Sequence, residues 1–179
     1  MLYILPKILT LIHYNQQLKE NPEECRPEYC ACCGKARPWR HGQYSRKPDR
    51  SSELDDSLNP IFIQRYYCPE CGGTTSVLPE CMSPRRWYLW EIQQAVLILS
   101  ILGKSAYAIA AEVIPSRHTI TRWLTRFHEK FRLHKDTLCT RIIELGRTFG
   151  FSEFWTDCFK QLTLGAAMQL CHVSEIFIP

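Results

Sequence analysis

Two cysteine pairs, followed by a long stretch of helical periodicity, predict a mainly α protein with a small β zinc ribbon. The pairs are Cys30-Ala-Cys32-Cys33-Gly34 and Cys68-Pro-Glu-Cys71-Gly72. Between them, the aromatic and β-branched run Ile61–Tyr67 is typical of a strand that leads into the second pair. From Ser83 onward, apolar residues recur at helical spacing, which predicts a helix-turn-helix three-helix unit and then C-terminal helices.

The cysteine pairs have the spacing of a closed metal site. Cys30, Cys33, Cys68 and Cys71 supply four thiolates, the ligand set of tetrahedral structural zinc sites. The glycine after each pair permits a tight turn that brings backbone amides toward the sulfurs. We therefore expect one structural Zn²⁺ on these four residues. The alternative ligands at the first pair are Cys25, Cys32 and His41.

Composition and the remaining cysteines indicate a packed protein of a reducing compartment. The 179 residues include ten cysteines, and 45% are hydrophobic against 22% charged. The first twelve residues lack the basic start and the cleavage site of a signal peptide, and they are too short to span a bilayer. We therefore expect a cytoplasmic protein without membrane contact. The DNA binding predicted below would make it nucleoid-associated. The other cysteines should be small buried hydrophobes without thiol catalysis: Cys81, Cys139, Cys158 and Cys171.

Four segments are predicted along the chain. They are an N-terminal segment (1–24, a short helix or strand and a linker), the zinc ribbon (25–82), the helix-turn-helix domain (83–135) and a C-terminal helical extension (136–179). Residues 47–60 are polar and turn-rich, typical of a loop. In the extension we expect a helix at 137–145 and one or two helices at 152–174. The aromatic run 149–159 suggests an interface between copies of the chain.

Local signals divide the second half into helices. Pro84 suits the first turn of a helix that Gly103 ends, and Ser105 caps a short helix at 106–113. Ser116 then caps a helix from 117 to about 132. The turn between the two short helices holds Ile114-Pro115 instead of the usual glycine. Because a β-branched residue tolerates positive φ poorly, this turn should differ in detail from the common form.

The helix from Arg117 has one apolar and one basic face. Ile120, Trp123, Leu124 and Phe127 follow the spacing of a single buried stripe. The N-terminal residues of such a helix are those that reach base edges in a major groove. The predicted DNA-contacting residues are Lys104, Ser105, Arg117, His118, Thr121, Arg122 and Arg126.

Charge supports this prediction. Residues 104–135 contain seven lysines and arginines against two glutamates, a net charge of +5, whereas the whole chain carries +4. A basic stripe concentrated on one helix is the electrostatic footprint of phosphate binding. The expected partner is double-stranded DNA.

The motifs resemble the N-terminal half of bacterial insertion-sequence transposases, and a related transposase-derived group without a nuclease domain. The resemblance covers residues 28–130 and is carried by Cys30-x-x-Cys33-Gly34, Arg40-His41-Gly42-x-Tyr44-x-Arg46, Arg65-Tyr-Tyr-Cys68-Pro-Glu-Cys71-Gly72, Gly103-Lys-Ser and Arg117-His-Thr-Ile-Thr-Arg-Trp123. It implies a mobile-element origin. The family's nuclease domain presents three carboxylates to two metal ions. Only 44 residues follow Lys135, too few for the sheet that would carry them, so we expect no enzymatic activity.

Two other functions are compatible with the sequence. One is a protein-interaction adaptor that binds partners through the ribbon and the C-terminal helices. The other is a non-autonomous subunit of a transposase or nuclease complex, and a homodimer is a further possibility. Within the ribbon, Trp39, Arg40, Tyr44 and Arg46 either contact a nucleic-acid backbone or RNA, or pack the ribbon itself.

Overall fold

The protein is mixed α/β, with a larger sheet than the small ribbon that the sequence predicted. The computed structural model describes residues 1–35, 37–48, 58–84 and 87–173, and in these residues it has one four-stranded sheet and seven α-helices. The chain forms two compact units, Met1–Leu89 and Trp90–Pro179. Most of the predicted loop at 47–60, and the end of the last predicted helix, lie outside the described residues.

The first unit contains the whole sheet. Its elements are β1 (Leu2–Leu5), α1 (Leu11–Glu20), β2 (Trp39–Arg46), β3 (Ile61–Tyr67) and β4 (Thr74–Pro79). The strand order is β1-β4-β3-β2, so β1 and β2 are the edges. β2, β3 and β4 pair antiparallel as consecutive neighbours, whereas β1 pairs parallel to β4, with Leu2 opposite Ser76 and Leu5 opposite Pro79. β1 and α1 therefore belong to the same compact unit as the cysteine pairs.

Tyr14 of α1 ties that helix to the sheet. Its hydroxyl donates to Val77 O at 2.7 Å and accepts the Gln64 backbone N–H at 3.3 Å. Burial raises the pKa of Tyr14 well above its usual value. The buried residues around it are mainly apolar and include Leu11, Ile61, Ile63, Tyr66, Val77, Leu78 and Met82. The first unit thus has a hydrophobic core of its own, which includes none of the four paired cysteines.

The second unit is helical. Its elements are α2 (Trp90–Ile101), α3 (Ala106–Ala110), α4 (Arg117–Glu129), α5 (Phe131–Cys139), a 3₁₀ helix (Ile143–Arg147), α6 (Phe151–Gln161) and α7 (Leu164–Val173). Fully buried side chains from five of these α-helices form its core, among them Leu97, Phe127, Leu138, Trp155 and Met168. Cys158 and Cys171 are buried there, and burial raises the pKa of each thiol to about 12. No described helix is long and apolar enough to cross a membrane.

The predicted helix caps are present. Ser105 Oγ accepts the Ala108 backbone N–H at 3.2 Å, and Ser116 Oγ accepts that of Thr119 at 3.4 Å. Gly103 has φ of +85° and its N–H bonds to Ser100 O, as expected for a residue that ends a helix. Ile114 has a negative φ: Lys7 is the only non-glycine among the described residues whose φ is positive. The connection between α3 and α4 therefore forms without a left-handed residue.

The cap at Ser116 can be tested by stability. Replacing Ser116 by Ala removes the acceptor for one otherwise unpaired amide of α4, so we expect a loss of about 1 kcal/mol in unfolding free energy. Urea unfolding followed by circular dichroism measures it. Ser152→Ala is the control, since Ser152 is exposed in the first turn of α6 and caps nothing there. An equal loss in both variants would contradict the role of Ser116.

Predicted boundaries were wrong for three helices: α3 ends at Ala110 and not at 113, and α2 and α5 also differ. α2 begins at Trp90 and not near Pro84, because Leu89, the residue before it, pairs with Met82 in an isolated antiparallel bridge. α5 occupies 131–139 and not 137–145, where a 3₁₀ helix follows instead. The apolar spacing of 83–90 continues that of α2, so periodicity by itself did not reveal the backbone bridge.

The aromatic run 149–159, which suggested an interface between copies, lies mainly in the core of the second unit. Phe154 and Trp155 are fully buried, and their rings lie 5.4 Å apart in an edge-to-face arrangement within the core of the second unit. Phe149, at 85% exposure, is the outlying member of the run. The aromatic residues therefore serve mainly to hold α6 against its neighbours.

Candidate metal centre and candidate nucleic-acid interface

The four predicted ligand residues meet in one cluster. The Sγ atoms of Cys30, Cys33, Cys68 and Cys71 all lie within 4.8 Å of one another. Cys30 Sγ is 3.7 Å from Cys71 Sγ, and Cys33 Sγ is 3.7 Å from Cys68 Sγ, so the shortest contacts cross between the pairs. Such an arrangement is compatible with a bound metal ion.

The two Cys-x-x-Cys-Gly knuckles, residues 30–34 and 68–72, have the same local geometry. In each, the glycine N–H donates to the carbonyl of the first cysteine at 2.9 Å: Gly34 to Cys30 and Gly72 to Cys68. The glycines have φ of +68° and +67°, a conformation that other residues rarely adopt. The sequence prediction that these glycines make the turns possible is confirmed.

Backbone amides and neighbouring thiols shift the pKa values of Cys30 and Cys71 in opposite directions. The N–H groups of Cys33 and Cys32 stabilise the Cys30 thiolate, the latter with N at 3.3 Å from Sγ, and lower the pKa of Cys30 to about 6. At Cys71, the Gly73 amide has the same lowering tendency. Desolvation and the neighbouring thiols Cys30, Cys68 and Cys33 outweigh it and raise the pKa of Cys71 to about 12. The Cys30 thiol therefore has a lower pKa than the Cys71 thiol.

The structure separates the alternative ligands from this cluster. Cys25 is buried in the hydrophobic core of the first unit, where burial raises the pKa of its thiol. Cys32 is exposed, and the ring of His41 lies 5.5 Å from that of Tyr67. Among the described residues, the group that can hold a metal comprises the four predicted cysteines and none of these three.

Gly73 is a residue of this site that the sequence analysis missed. A Cβ built on it would lie 3.1 Å from Cys71 Sγ, closer than most real side-chain contacts, and 3.8 Å from Cys32 Cβ, an ordinary contact. Its carbonyl also accepts the Cys68 N–H at 2.9 Å. The Gly72-Gly73 pair was the available signal, since a second glycine after a knuckle indicates a close approach of backbone to sulfur.

The second candidate site comprises the predicted DNA-contacting residues, five of them on α4 and two directly before α3. All seven are exposed: Lys104, Ser105, Arg117, His118, Thr121, Arg122 and Arg126. Behind them, Ile120, Trp123 and Phe127 are buried, and Leu124 is half-buried. The helix therefore has the predicted orientation, with its apolar stripe inward and its basic side chains in solvent. We call this set of seven residues the basic face.

Some members of the basic face are already engaged. Lys104 Nζ lies 2.6 and 2.7 Å from the two carboxylate oxygens of Glu112, which partly neutralises its charge. Thr121 Oγ1 donates to Arg117 O at 3.0 Å, a bond within the helix. The three arginines of the basic face make no ion pair with any described residue. Arginines are thus the main available cations of the basic face.

Tyr107 is a second residue that the sequence analysis did not single out. It is 75% exposed on α3, and with Ala110, Ala111 and Arg117 it lines a small open groove at the start of α4. The groove stays open because the methyl side chains of the two alanines are too small to fill it. A large exposed aromatic two residues after a helix cap was the signal that was available in the sequence.

Comparison with known protein families identifies the family of this chain. Residues 30–123 match the family model described as "Domain of unknown function (DUF6431)". The matched segment starts at the first clustered cysteine and contains all four of them, together with every member of the basic face except Arg126. No curated protein and no solved structure shows significant similarity to the chain. Since the match covers 94 of 179 residues, the chain belongs to the DUF6431 family.

Proposed function

We propose that this chain is a zinc-containing protein that binds double-stranded DNA, of transposase or mobile-element origin, without catalytic activity of its own. The observation that carries the proposal is the joint exposure of the five basic-face residues of α4, a helix whose apolar stripe is buried. In this proposal α3, the connection at 111–116 and α4 act as a helix-turn-helix, and α4 enters the major groove.

Zinc is the metal that we propose for the cysteine cluster. A tetrahedron of sulfurs about 2.3 Å from a central zinc has edges of about 3.8 Å. The two Sγ–Sγ distances of 3.7 Å are close to that edge. Four sulfurs leave no open coordination position, so the ion would fold the knuckles and would not activate water or substrate. Iron accepts the same ligands, and elemental analysis distinguishes the two.

The absence of catalysis is proposed from the placement of acidic residues. Strand transfer by a two-metal mechanism needs several carboxylates around one site. Within the described ranges, the groups of three or more metal-ligating side chains comprise the cysteine cluster and no carboxylate set. The transposase-like origin rests on the resemblance of residues 28–130, and DNA binding would be the part of that activity that this chain keeps.

Selection of DNA from a random duplex pool tests the proposed function. The zinc-loaded protein is expected to enrich a defined sequence and to bind it less tightly as salt rises, because each neutralised phosphate releases counterions. Electrophoretic titration at several salt concentrations measures both effects. Failure to retain any duplex at low salt, with the metal site filled, would refute the proposal.

A further inference from the structure

The open groove between α3 and the start of α4 is a binding site that the basic face does not account for. It is lined by Tyr107, Ala110, Ala111 and Arg117, of which only the arginine belongs to the basic face. Arg117 is the first residue of α4, and in the proposed docking the N-terminal end of this helix is the end that reaches the DNA. The groove therefore lies where the proposed helix-turn-helix comes closest to the duplex.

Tyr107 carries a hydroxyl group that the fold does not use. It is the second residue of α3, it is 75% exposed, and its side chain makes no hydrogen bond with a described residue. Tyr14 shows the contrast, because its hydroxyl is buried and has two partners in the first unit. A phenol hydroxyl can donate one hydrogen bond and can also accept. The hydroxyl of Tyr107 is thus available to a ligand.

The charges around the groove favour an anion. Arg117 makes no ion pair with a described residue, and none of the four lining residues is acidic. Glu112 directly follows Ala111, but Lys104 Nζ lies 2.6 and 2.7 Å from its two carboxylate oxygens and compensates its charge. The groove thus combines an unpaired cation with a free hydroxyl donor, and both groups commonly hold DNA phosphates.

The walls of the groove distinguish a phosphate from a base. Ala110 and Ala111 present methyl groups, which make no hydrogen bond to a base edge and can recognise only the methyl group of thymine. A phosphate finds both a charge and a hydrogen-bond donor there. The end of α4 does not supply that donor, because the Thr119 amide already donates to Ser116 Oγ at 3.4 Å. Side chains would therefore hold the occupant.

We infer that the groove holds one backbone phosphate of the bound duplex, with Tyr107 as the hydrogen-bond donor and Arg117 as the attracting charge. The first helix of a helix-turn-helix crosses the DNA backbone, which brings a strand past α3. The inference rests on the proposed function and adds a contact from outside the basic face. Because phosphate contacts fix the register of a protein on the duplex, Tyr107 helps to set how α4 enters the major groove.

The first test removes the hydroxyl alone. Tyr107→Phe keeps the ring, and in the zinc-loaded full chain it should weaken binding of the selected duplex by about tenfold, the range for a hydrogen bond to a charged group. Tyr29→Phe is the matched control, since Tyr29 is 66% exposed and loses the same oxygen atom. Fluorescence anisotropy measures both affinities, and both variants should keep the melting temperature of the wild type.

The second test locates the phosphate. Uncharged methylphosphonates replace the phosphates of the selected duplex one at a time, and at one position the replacement should weaken the wild type severalfold more than it weakens Tyr107→Phe. Ala111→Leu, which fills the groove without a change of charge, should also weaken duplex binding. Replacing thymine by uracil removes only the methyl group and should leave the effect of Tyr107→Phe unchanged.

Four results would overturn the inference and leave the proposed function standing. They are wild-type duplex affinity in Tyr107→Phe, an equal loss in Tyr29→Phe, the lack of any phosphate position at which wild type and Tyr107→Phe differ, and an effect of Tyr107→Phe that disappears on uracil-containing DNA. The last result would assign the groove to a thymine methyl group. Failure of the wild type to bind any duplex overturns both proposals.

Discussion

Replacing Cys71 by Ser is expected to abolish stoichiometric zinc binding and to lower the melting temperature, whereas Cys32→Ser should do neither. Both thiols are exposed, so neither substitution creates a cavity. They differ in one respect: Cys71 Sγ lies in the cluster, 3.7 Å from Cys30 Sγ, and Cys32 lies outside it. The pair of variants therefore isolates the role of ligation from the chemistry of a surface thiol.

The size of the effect follows from what structural zinc contributes to small domains. In zinc-finger peptides the apparent contribution to folding is roughly 10–16 kcal/mol, because the site does not exist in the unfolded chain. The first unit has its own apolar core around Tyr14, so it should lose order at the knuckles and not unfold completely. We expect the melting temperature to fall on the order of 10–20 °C.

Elemental analysis, a melting curve and amide exchange measure these effects. Wild type and Cys32→Ser should hold one zinc per chain, and exchange in Cys71→Ser should rise at residues 30–34 and 68–73. A chelator should bring the wild type to the state of Cys71→Ser and leave that variant unchanged. A measured content of one iron per chain would mean that the bound metal is iron and not zinc. Full metal content in Cys71→Ser would refute the site.

The metal cluster was predictable from sequence because its determinants are local. Each knuckle is a five-residue unit in which the cysteine spacing and the following glycine fix the turn, as Gly34 and Gly72 show. The same holds for Ser105 and Ser116, whose side chains cap helices within three residues. The stripe of α4 was also predictable, since a helix of thirteen residues completes enough turns to make its apolar face unambiguous.

The features that were missed depend on partners distant in the chain. The run Leu2–Leu5 becomes a strand because β4, more than seventy residues later, offers an edge to pair with. A short apolar run carries no periodicity that distinguishes strand from helix, so its own residues left this open. Gly73 is crowded by Cys71 and also contacts Cys32, and the second of these contacts exists only after both knuckles have met. Sequence spacing does not contain that information.

Replacing Arg117 and Arg122 together by Ala is expected to weaken duplex binding by tenfold or more and to reduce its salt dependence. Both side chains are exposed at the N-terminal part of α4, the part of such a helix that reaches base edges and phosphates. A lost base contact costs about 1–3 kcal/mol, and each lost phosphate contact lowers the salt slope by about 0.9. Two phosphate contacts would therefore reduce the slope by about two.

The control for this experiment is Arg141→Ala with Arg147→Ala. It also removes two positive charges, from exposed positions of the second unit that follow α4 in the sequence. A purely electrostatic attraction between the whole protein and DNA would weaken equally in both double variants, because their net charges are equal. A specific basic face predicts a loss in the α4 variant and near wild-type affinity in the control.

The two kinds of contact can then be told apart on the basic face. If Arg117 reads a base, its single substitution should relax the sequence preference of the selected DNA at one position. If Arg122 binds a phosphate, its substitution should weaken all sequences alike and change only the salt slope. Thr121, whose hydroxyl is already bonded to Arg117 O, should have a smaller effect than either arginine. Equal affinity and slope in wild type and all α4 variants would mean that α4 is not the DNA-binding helix, whatever the cysteine cluster holds.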